Sequence, residues 1–290
     1  MQPERSVLIA GPTASGKSAR ALDLARRCGG IVINADSMQV YAELSILTAR
    51  PRVGDMREVP HRLYGTVPAA EAYSVGRFLT DAAREIAAAR AAGAVPILVG
   101  GTGLYFKALT EGLAPVPPIP PEVRARWREA AAVLGPADLH RELAARDPAT
   151  GARLRPSDRQ RIVRALEVFE ATGRPLVAWQ AEPATPVLPP GTWQGLVVAC
   201  ERDEVYRRCD DRFDAMMAAG ALDEVRSLRS LGLDRSLPAL RAVGVPPLLA
   251  YLDGTSSLDA AVAAAKLDTR HYVKRQLSWL RRNMSAWKLA

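Results

Sequence analysis

The chain has 290 residues, 48% of them hydrophobic, so it can bury a full core in one large domain or two smaller ones. Its formal net charge of +8 indicates an acidic partner, with nucleic acid as the first candidate. Its three cysteines lack metal-ligand spacing and no apolar run reaches about 18 residues, which argues against a zinc site and a membrane span and predicts a cytoplasmic protein.

The first predicted element is a strand that runs, with no signal peptide before it, into the motif GPTASGKS at residues 11–18. A buried strand, the G-x-x-x-x-G-K-S spacing and a following helical pattern are the context of a phosphate-binding P-loop. Glycines let backbone amides face an anion, Lys17 adds a positive charge, and the Ser18 hydroxyl is a ligand for Mg²⁺. The predicted anion site is Gly11, Pro12, Thr13, Ala14, Ser15, Gly16, Lys17 and Ser18. The alternative is an ordinary strand-to-helix turn.

Short β-branched apolar runs recur between helical stretches, at residues 7–10, 31–34, 95–99 and 196–199. Because they lack polar alternation, we expect strands buried on both faces, as in a parallel sheet wrapped by helices. Two proline-rich segments enclose helical patterns without a convincing strand. The sequence therefore predicts a P-loop-type α/β core in two parts, 1–116 and a mainly helical 191–290, interrupted by a small all-helical insertion domain at 117–190.

Polar residues follow the second and third predicted strands. Asp36 lies in INADSMQVY and Thr102 in PILVGGTGLYF. Ligands of open parallel sheets bind at the carboxyl ends of the strands, so both residues are placed to meet what the P-loop holds. The alternative for Asp36 is a helix N-cap, and the alternative for the glycine-rich stretch is a tight turn into a helix that Thr102 caps.

The predicted insertion contains a helix in RLRPSDRQRIVRALEVFEATGRP. Ser157 with Gln160 fits a capping box, an apolar stripe follows, and Gly173 predicts the helix end. The arginines around its start are Arg153, Arg155, Arg159, Arg161 and Arg164. Because cations at a helix start oppose the macrodipole, we favour contact with the phosphates of a polyanion over a merely solvated face.

Two further helical patterns follow the second proline-rich segment. In CDDRFDAMMAAGALDEV, the residues expected in the core are Phe213, Met216 and Met217. The alternative to a site role for Arg212 is an ion pair within its helix. In KLDTRHYVKRQLSWLRR, the residues expected inside are Leu267, Val273, Leu277 and Leu280. The basic residues expected outside are Arg270, Lys274, Arg275, Arg281 and Arg282.

Seven segments, in order over nearly the whole chain, resemble the tRNA dimethylallyltransferase family. They are GPTASGKS, INADSMQVY, VPHRL, ILVGGTGLYFKALTEGL, RLRPSDRQRIVRALEVFEATGRP, DRFDAMMAAG with DEV, and TRHYVKRQLSWLR. The resemblance implies a P-loop-type core with a helical insertion. It also implies transfer of a dimethylallyl group from its diphosphate to N6 of the adenosine just 3′ of the anticodon, position 37. The diphosphate would then be the leaving group, stabilised by Lys17, the loop amides and Mg²⁺.

The resemblance implies roles for individual residues. The catalytic set is Asp36, placed to be the general base, Thr102, which contacts the target base or phosphate, and Arg212, which contacts the diphosphate. The tRNA-binding set is Asp36, Ser37, Met38, Gln39, Thr102, Arg124, Gln160, Arg161, Ile162, Val163, Arg164, Arg270 and Lys274. The implied partners are dimethylallyl diphosphate and the anticodon stem-loop of tRNA, with Mg²⁺ as cofactor, and we expect a monomer.

The chain departs from the family pattern at RAVGVPPLLAYL, residues 241–252, so contacts assigned to that segment do not carry over. His61 is followed by Arg62 where the family has paired histidines, and Ser18 stands where Thr is common but keeps the hydroxyl. The alternatives are a P-loop small-molecule or nucleoside kinase that uses ATP, and a regulatory nucleic-acid-binding NTPase. Neither an arginine-rich lid nor a Walker-B-like strand ending in Asp is present to favour them, and ATP binding is left open.

Overall fold

A computed structural model describes residues 5–289 of the chain. The chain divides into two compact units, one formed by the described residues of Met1–Glu111 and Val187–Ala290, the other by Gly112–Pro186. The predicted insertion, 117–190, begins and ends a few residues later in the chain than the second unit does. The first proline-rich segment belongs wholly to this unit and the second is divided between the units, so neither marks a boundary by itself.

A parallel sheet forms the centre of the first unit. Its strands are β1 (Ser6–Ala10), β2 (Gly30–Asn34), β3 (His61–Arg62), β4 (Val95–Gly100), β5 (Trp193–Val197) and β6 (Lys288–Leu289). Their order is β3-β2-β4-β1-β5-β6, and each strand runs parallel to its neighbours. The predicted parallel α/β fold is confirmed. The edge strands β3 and β6 were not predicted because two residues are too few for a hydrophobic pattern, and β5 begins at Trp193 rather than Leu196.

Successive residues of β1 face two different cores, as expected of a strand that is covered on both sides. Val7 and Ile9 pack in one apolar cluster, and Leu8 and Ala10 pack in another. In the described part of the chain, four helices precede the insertion: α1 (Lys17–Cys28), α2 (Val53–Glu58), α3 (Val75–Ala91) and α4 (Gly103–Glu111). Helix α1 covers the first face, whereas α3 and α4 pack on the second face.

The second unit is helical. Its helices are α5 (Pro121–Val133), α6 (Pro136–Arg146), α7 (Pro148–Gly151), α8 (Arg159–Thr172) and α9 (Leu176–Gln180). Trp127, Leu139 and Leu166 lie in its apolar core. The predicted capping box at Ser157 is wrong: the N-cap is the next residue, whose side chain caps no amide and instead lies 3.3 Å from the Arg161 guanidinium. The predicted end at Gly173 is confirmed by its left-handed backbone, φ 65°.

The rest of the first unit is mainly helical, with α10 (Arg202–Ala218), α11 (Ala221–Ser230), a 3₁₀ turn at Pro238–Arg241, α12 (Val245–Leu252) and α13 (Leu258–Asn283). Phe213 and Met216 are buried as predicted, and Met217 is partly buried against the same core. Leu267 is 51% exposed, so its predicted core position is wrong. The buried stripe of α13 instead includes the polar residues Thr269 and Gln276. Among the described residues, no helix combines the length and the apolar character needed to cross a membrane.

Candidate active site

The P-loop joins the carboxyl end of β1 to α1 through a turn with two left-handed residues, Ala14 (φ 62°) and Gly16 (φ 88°). A Cβ atom at Gly11 would lie only 2.7 Å from Ser15 Oγ, so any larger residue there would displace the Ser15 hydroxyl. Ser15 Oγ itself is buried and has no hydrogen-bond partner among the described residues. A buried hydroxyl without a partner is costly, and here it lies beside a helix N-terminus that favours anions. The loop is therefore suited to phosphate oxygens.

Lys17 is buried at the start of α1, where its Nζ atom donates to the carbonyl of Pro12 at 3.2 Å. Burial disfavours the charged ammonium and lowers the pKa of Lys17 to about 8, although the Asp36 carboxylate acts in the opposite direction. Burial also lowers the pKa of the Arg212 guanidinium, against the raising effects of Cys209 and Asp36. Two poorly solvated cations thus lie in one site and would be stabilised by an anionic ligand.

Asp36 lies in an irregular segment between β2 and α2. Its backbone amide donates to Asn34 Oδ1 at 2.8 Å, and its Oδ1 atom accepts from the amide of Met38 at 3.0 Å. No helix begins here in the described chain, so the helix N-cap alternative is wrong. The Asp36 Oδ2 atom faces the glycine turn, residues 100–103, because a Cβ built on Gly101 would lie 3.4 Å from it.

Thr102, in the glycine turn, lies beside the Asp36 segment. Its hydroxyl accepts from the amide of Ser37 at 2.9 Å and donates to the Ser37 hydroxyl at 3.3 Å. The Thr102 side chain thus ties the ends of β2 and β4 together. Gly100 permits this close approach, since a Cβ there would lie 2.1 Å from the carbonyl oxygen of Ala35. The tight-turn alternative describes the backbone of this stretch. Among the described residues, however, the Thr102 hydroxyl contacts Ser37 and caps no amide of α4.

A cavity of about 250 Å³, which we call the site cavity, opens beside these segments. Its polar lining includes Thr13 of the P-loop, Asp36 and Arg212. Among the described residues, no carboxylate forms an ion pair with Arg212; of its neighbours on α10, Asp210 pairs with Arg270 and Asp214 pairs with Lys266. The alternative of an ion pair within the helix is therefore wrong. The apolar lining is contributed by Leu47, Phe213, Met216 and Val243.

Comparison with known proteins identifies the family. The family model described as IPP transferase matches residues 39–283, and the model described as isopentenyl transferase matches residues 5–69. The chain belongs to the IPP transferase family. This confirms the resemblance found in the sequence.

Two relatives and two solved structures are similar to the chain over almost its whole length. The tRNA dimethylallyltransferases of Bradyrhizobium sp. (strain BTAi1) and Azorhizobium caulinodans are each 55% identical to it, over 97% of the chain and 92% and 90% of the relative. The tRNA isopentenylpyrophosphate transferase of Bacillus halodurans is 34% identical, with a TM-score of 0.70, over 99% of this chain and 89% of that one. A eukaryotic dimethylallyltransferase acting on tRNA is 27% identical, with a TM-score of 0.81, over 95% of this chain and 69% of that one.

In this family member, Glu224 of α11 supports one wall of the site cavity. Its Oε1 atom accepts from the amides of Ser45 at 2.6 Å and Ile46 at 2.7 Å, and its Oε2 atom accepts from the amide of Leu47 at 2.9 Å. Charge-assisted hydrogen bonds of this kind are stronger than neutral ones. Glu224 therefore holds the segment that presents Leu47 to the cavity. Sequence reasoning gave it no role, although it lies in the DEV segment of the resemblance.

Helix α13 supplies further lining residues that were not predicted as site residues, among them Thr269, Tyr272 and Arg275. Burial raises the pKa of the Tyr272 hydroxyl, and the nearby Asp36 carboxylate acts in the same direction. This tyrosine therefore stays neutral and can donate a hydrogen bond. Residues 241–252, the segment that departs from the family pattern, also contribute, since Arg241 and Val243 line the cavity.

The remaining predicted tRNA-binding residues of the first unit have varied surroundings. The Gln39 amide donates to the carbonyls of Thr48 at 2.8 Å and Ala49 at 3.2 Å, so it stabilises its own loop. Arg270 forms an ion pair with Asp210, and Lys274 is exposed. These observations leave the predicted tRNA contacts as predictions.

Within the second unit, the predicted residues lie on or near one end of α8. Arg124, Gln160 and Arg161 are exposed, and Arg164 lies 3.7 Å from the Glu167 carboxylate. Val163 packs partly against the apolar core. Ile162 is fully buried in that core. Because Ile162 belongs to the apolar stripe by which α8 packs on this core, its side chain is not exposed for contact with tRNA.

The described residues contain no group of three or more His, Cys, Asp or Glu side chains that could hold a metal ion. The Ser18 hydroxyl is exposed on the first turn of α1, next to the backbone amides of the P-loop. Mg²⁺ often keeps several waters and is held by few protein ligands together with substrate phosphates. This donor set fits an ion that arrives with a diphosphate and does not fit a dedicated protein cage.

Proposed function

We propose that the protein transfers the dimethylallyl group of dimethylallyl diphosphate to N6 of the adenosine immediately 3′ of the tRNA anticodon, position 37, and releases diphosphate. One observation carries the proposal: the cations of Lys17 and Arg212 lie with the Asp36 carboxylate beside a cavity that also has an apolar lining. The relatives named tRNA dimethylallyltransferase and the similar structure of an enzyme acting on tRNA support it.

The P-loop is the proposed site of the leaving group. As the allylic C–O bond breaks, its electron pair moves to the diphosphate oxygen, and the developing charge faces the loop amides and Lys17. Arg212, which has no carboxylate partner among the described residues, is the second proposed contact of the diphosphate. Because both cations are poorly solvated, their interaction with the leaving group is stronger than it would be in water.

Asp36 is the proposed general base. The N6 lone pair of adenine is delocalised into the ring, so the amine needs to lose a proton as its bond to the allylic carbon forms. The Asp36 Oδ1 atom is occupied by a backbone amide, which leaves Oδ2 on the side of the glycine turn to accept that proton. Thr102, next to it, is the proposed contact of the target base or phosphate. The base must leave its stack, which is cheapest in a single-stranded loop.

The apolar lining of the site cavity suits the five-carbon chain. Leu47, Phe213, Met216 and Val243 offer no polar atom from their side chains. An allylic centre with positive charge is exposed to attack by water, and an apolar lining reduces this side reaction. We propose Mg²⁺ as the cofactor, held by the Ser18 hydroxyl and the diphosphate, where it supplies charge neutralisation of the leaving group when bound.

We propose that the exposed arginines around α8 in the second unit bind the phosphates of the anticodon stem-loop. The candidates are Arg124, Arg159 and Arg161. Such contacts provide affinity without sequence specificity, which the flipped base provides instead. Because the proposed substrate is tRNA, we further propose a cytoplasmic location. We also propose a monomer, and size-exclusion chromatography with light scattering tests the oligomeric state.

The experiment is transfer of labelled dimethylallyl groups to unmodified tRNA, with the modified nucleotide mapped by nuclease digestion and mass spectrometry. We expect label on the adenosine 3′ of the anticodon and release of diphosphate without ATP. Asp36→Asn should abolish most transfer, whereas Asp55→Asn, a change in an α2 carboxylate outside the cavity lining, should not. Phosphate transfer from ATP to a hydroxyl, with no prenyl transfer, would overturn the proposal in favour of the kinase alternative.

A further inference from the structure

Gln276 is a buried amide that contacts two segments of the candidate site at once. It lies on the buried stripe of α13 and is 6% exposed. Its Oε1 atom accepts from the backbone amide of Thr13 in the P-loop at 2.9 Å. Its Nε2 atom donates to the carbonyl of Gly101 in the glycine turn at 3.1 Å. One side chain therefore connects the segment proposed to hold the diphosphate with the segment that neighbours Asp36.

The local geometry is built around this side chain. A Cβ at Gly101 would lie 2.3 Å from Gln276 Nε2, so any other residue in the turn would displace the amide. The two contacts also need different chemistry, because Thr13 offers a donor and Gly101 offers an acceptor. A carboxylate accepts but cannot donate, and an apolar side chain does neither. Among side chains of this length, only the amide satisfies both segments at neutral pH.

A second polar side chain, Tyr272, lies one helical turn before Gln276 on α13 and also contacts the glycine turn. The Tyr272 hydroxyl lies beside the side chains of Gln276 and Thr102, and both act to lower its pKa against the larger effect of burial. Thr102 in turn accepts from the amide of Ser37, the residue after Asp36. Polar contacts thus continue from the P-loop through Gln276, Tyr272 and Thr102 to the Asp36 segment.

We propose that Gln276 is a positioning residue, which holds the P-loop and the glycine turn at the spacing that brings Asp36 and the diphosphate site into register. The proposal rests on the proposed function, and it adds a requirement for an amide at this position of α13. Small displacements of reacting groups reduce rates strongly. A residue that only stabilised the fold would instead lower the melting temperature and leave the rate of the folded fraction unchanged.

The test uses two substitutions and one matched control. Gln276→Met keeps the length but removes both hydrogen bonds, whereas Gln276→Glu keeps an acceptor for Thr13 and loses the donor to Gly101 when ionised. The control is Leu280→Val, one turn later on the same buried stripe but in the apolar core. Each protein is compared for melting temperature, kcat and KM of prenyl transfer, and deuterium exchange of the Thr13 and Ser37 amides.

We expect Gln276→Met to lower kcat by about 10- to 100-fold, with the KM for dimethylallyl diphosphate changed less than about threefold. Its Thr13 amide should exchange faster, and the control should keep kcat and exchange near those of the unmodified protein. For Gln276→Glu, kcat relative to the unmodified protein should rise as the pH falls, because the protonated carboxyl can donate to Gly101 again.

A kcat for Gln276→Met within threefold of the unmodified protein, or unchanged protection of Thr13, would overturn the proposal. The proposal would also be overturned if Leu280→Val lowered kcat as much as Gln276→Met does while lowering the melting temperature by the same amount. If the unmodified protein transfers no prenyl group, the proposed function fails, and the amide exchange of Thr13 and Ser37 still decides whether Gln276 holds the two segments together.

Discussion

Raising the pH should weaken the binding of dimethylallyl diphosphate, because Lys17 of the ligand-free protein loses its proton at a lower pH than an ordinary lysine. Burial lowers the pKa of Lys17 from 10.5 to about 8. At pH 7 the lysine is therefore mostly charged, whereas at pH 9 about one molecule in ten carries the proton. The negative charge of a bound diphosphate favours the ammonium and raises the pKa again. Binding above pH 8 must then include proton uptake, which costs free energy.

The expected size follows from the two pKa values. If the diphosphate restores the pKa of Lys17 to its ordinary 10.5, Kd should rise about tenfold between pH 7 and pH 9. The effect on ligand-free stability has the opposite sign. Between pH 8 and 10.5 the unfolded chain holds this proton more tightly than the folded chain, so the contribution of Lys17 to stability increases with pH, by about 3 kcal/mol over the whole window.

Isothermal titration calorimetry between pH 7 and pH 9.5, at constant Mg²⁺ and without tRNA, measures this dependence. At pH 8, titrations in two buffers of different ionisation enthalpy should reveal uptake of about half a proton per ligand. Lys17→Met serves as the control, because it should bind more weakly and with little dependence on pH. A constant Kd for the unmodified protein, or the same slope for Lys17→Met, would refute the reasoning.

Four further predictions address other parts of the proposed site. Asp36→Ala should lower kcat by about 10²-fold or more and leave the Kd for dimethylallyl diphosphate, measured by calorimetry, nearly unchanged. A near-normal kcat would contradict a role as base. Lys17→Ala should remove prenyl transfer, with ATP at most a weak competitor, and stoichiometric ATP consumption during turnover would revive the kinase alternative. Glu224→Gln should speed deuterium exchange of amides 45–47 and raise the KM for dimethylallyl diphosphate, because three backbone amides lose their charged acceptor. Unchanged exchange would contradict this role of Glu224. Arg159→Ala with Arg161→Ala should flatten the plot of log K for tRNA against log salt by roughly 0.7 to 0.9 units per lost contact, and parallel lines would mean a solvated face.

Strand positions could be predicted from the sequence because their determinants are local. Residues 7–10, 31–34 and 95–99 are short apolar runs, and the glycines after the first and third, Gly11 and Gly100, allow the turns that follow. Since the strands are parallel, their carboxyl ends share one edge of the sheet. This rule alone placed Asp36 near the P-loop, and the structure agrees, because Asp36 contributes to the charge environment of Lys17.

The segment after Asp36 could not be predicted in the same way. Residues 35–52 form no helix or strand within the described chain. Several of their backbone amides donate within the segment, and others donate to side chains that are distant in sequence. Three of these amides bind Glu224, which is more than 170 positions away in sequence. No local pattern announces such a contact, since a glutamate on the exposed side of a helix start is also an ordinary favourable residue.

Helix α13 carries a sequence signal that identifies its buried polar residues. Its buried positions follow a spacing of three or four residues through Ala265, Thr269, Val273, Gln276 and Leu280. Assigning the stripe by apolar residues alone included Leu267, which is exposed, and omitted two polar residues that are buried. A buried amide requires partners, so a glutamine in register with an apolar stripe predicts a specific polar contact. The register of a stripe, rather than the apolar character of each member, therefore identifies which polar side chains face a site, and on α13 it points to Gln276.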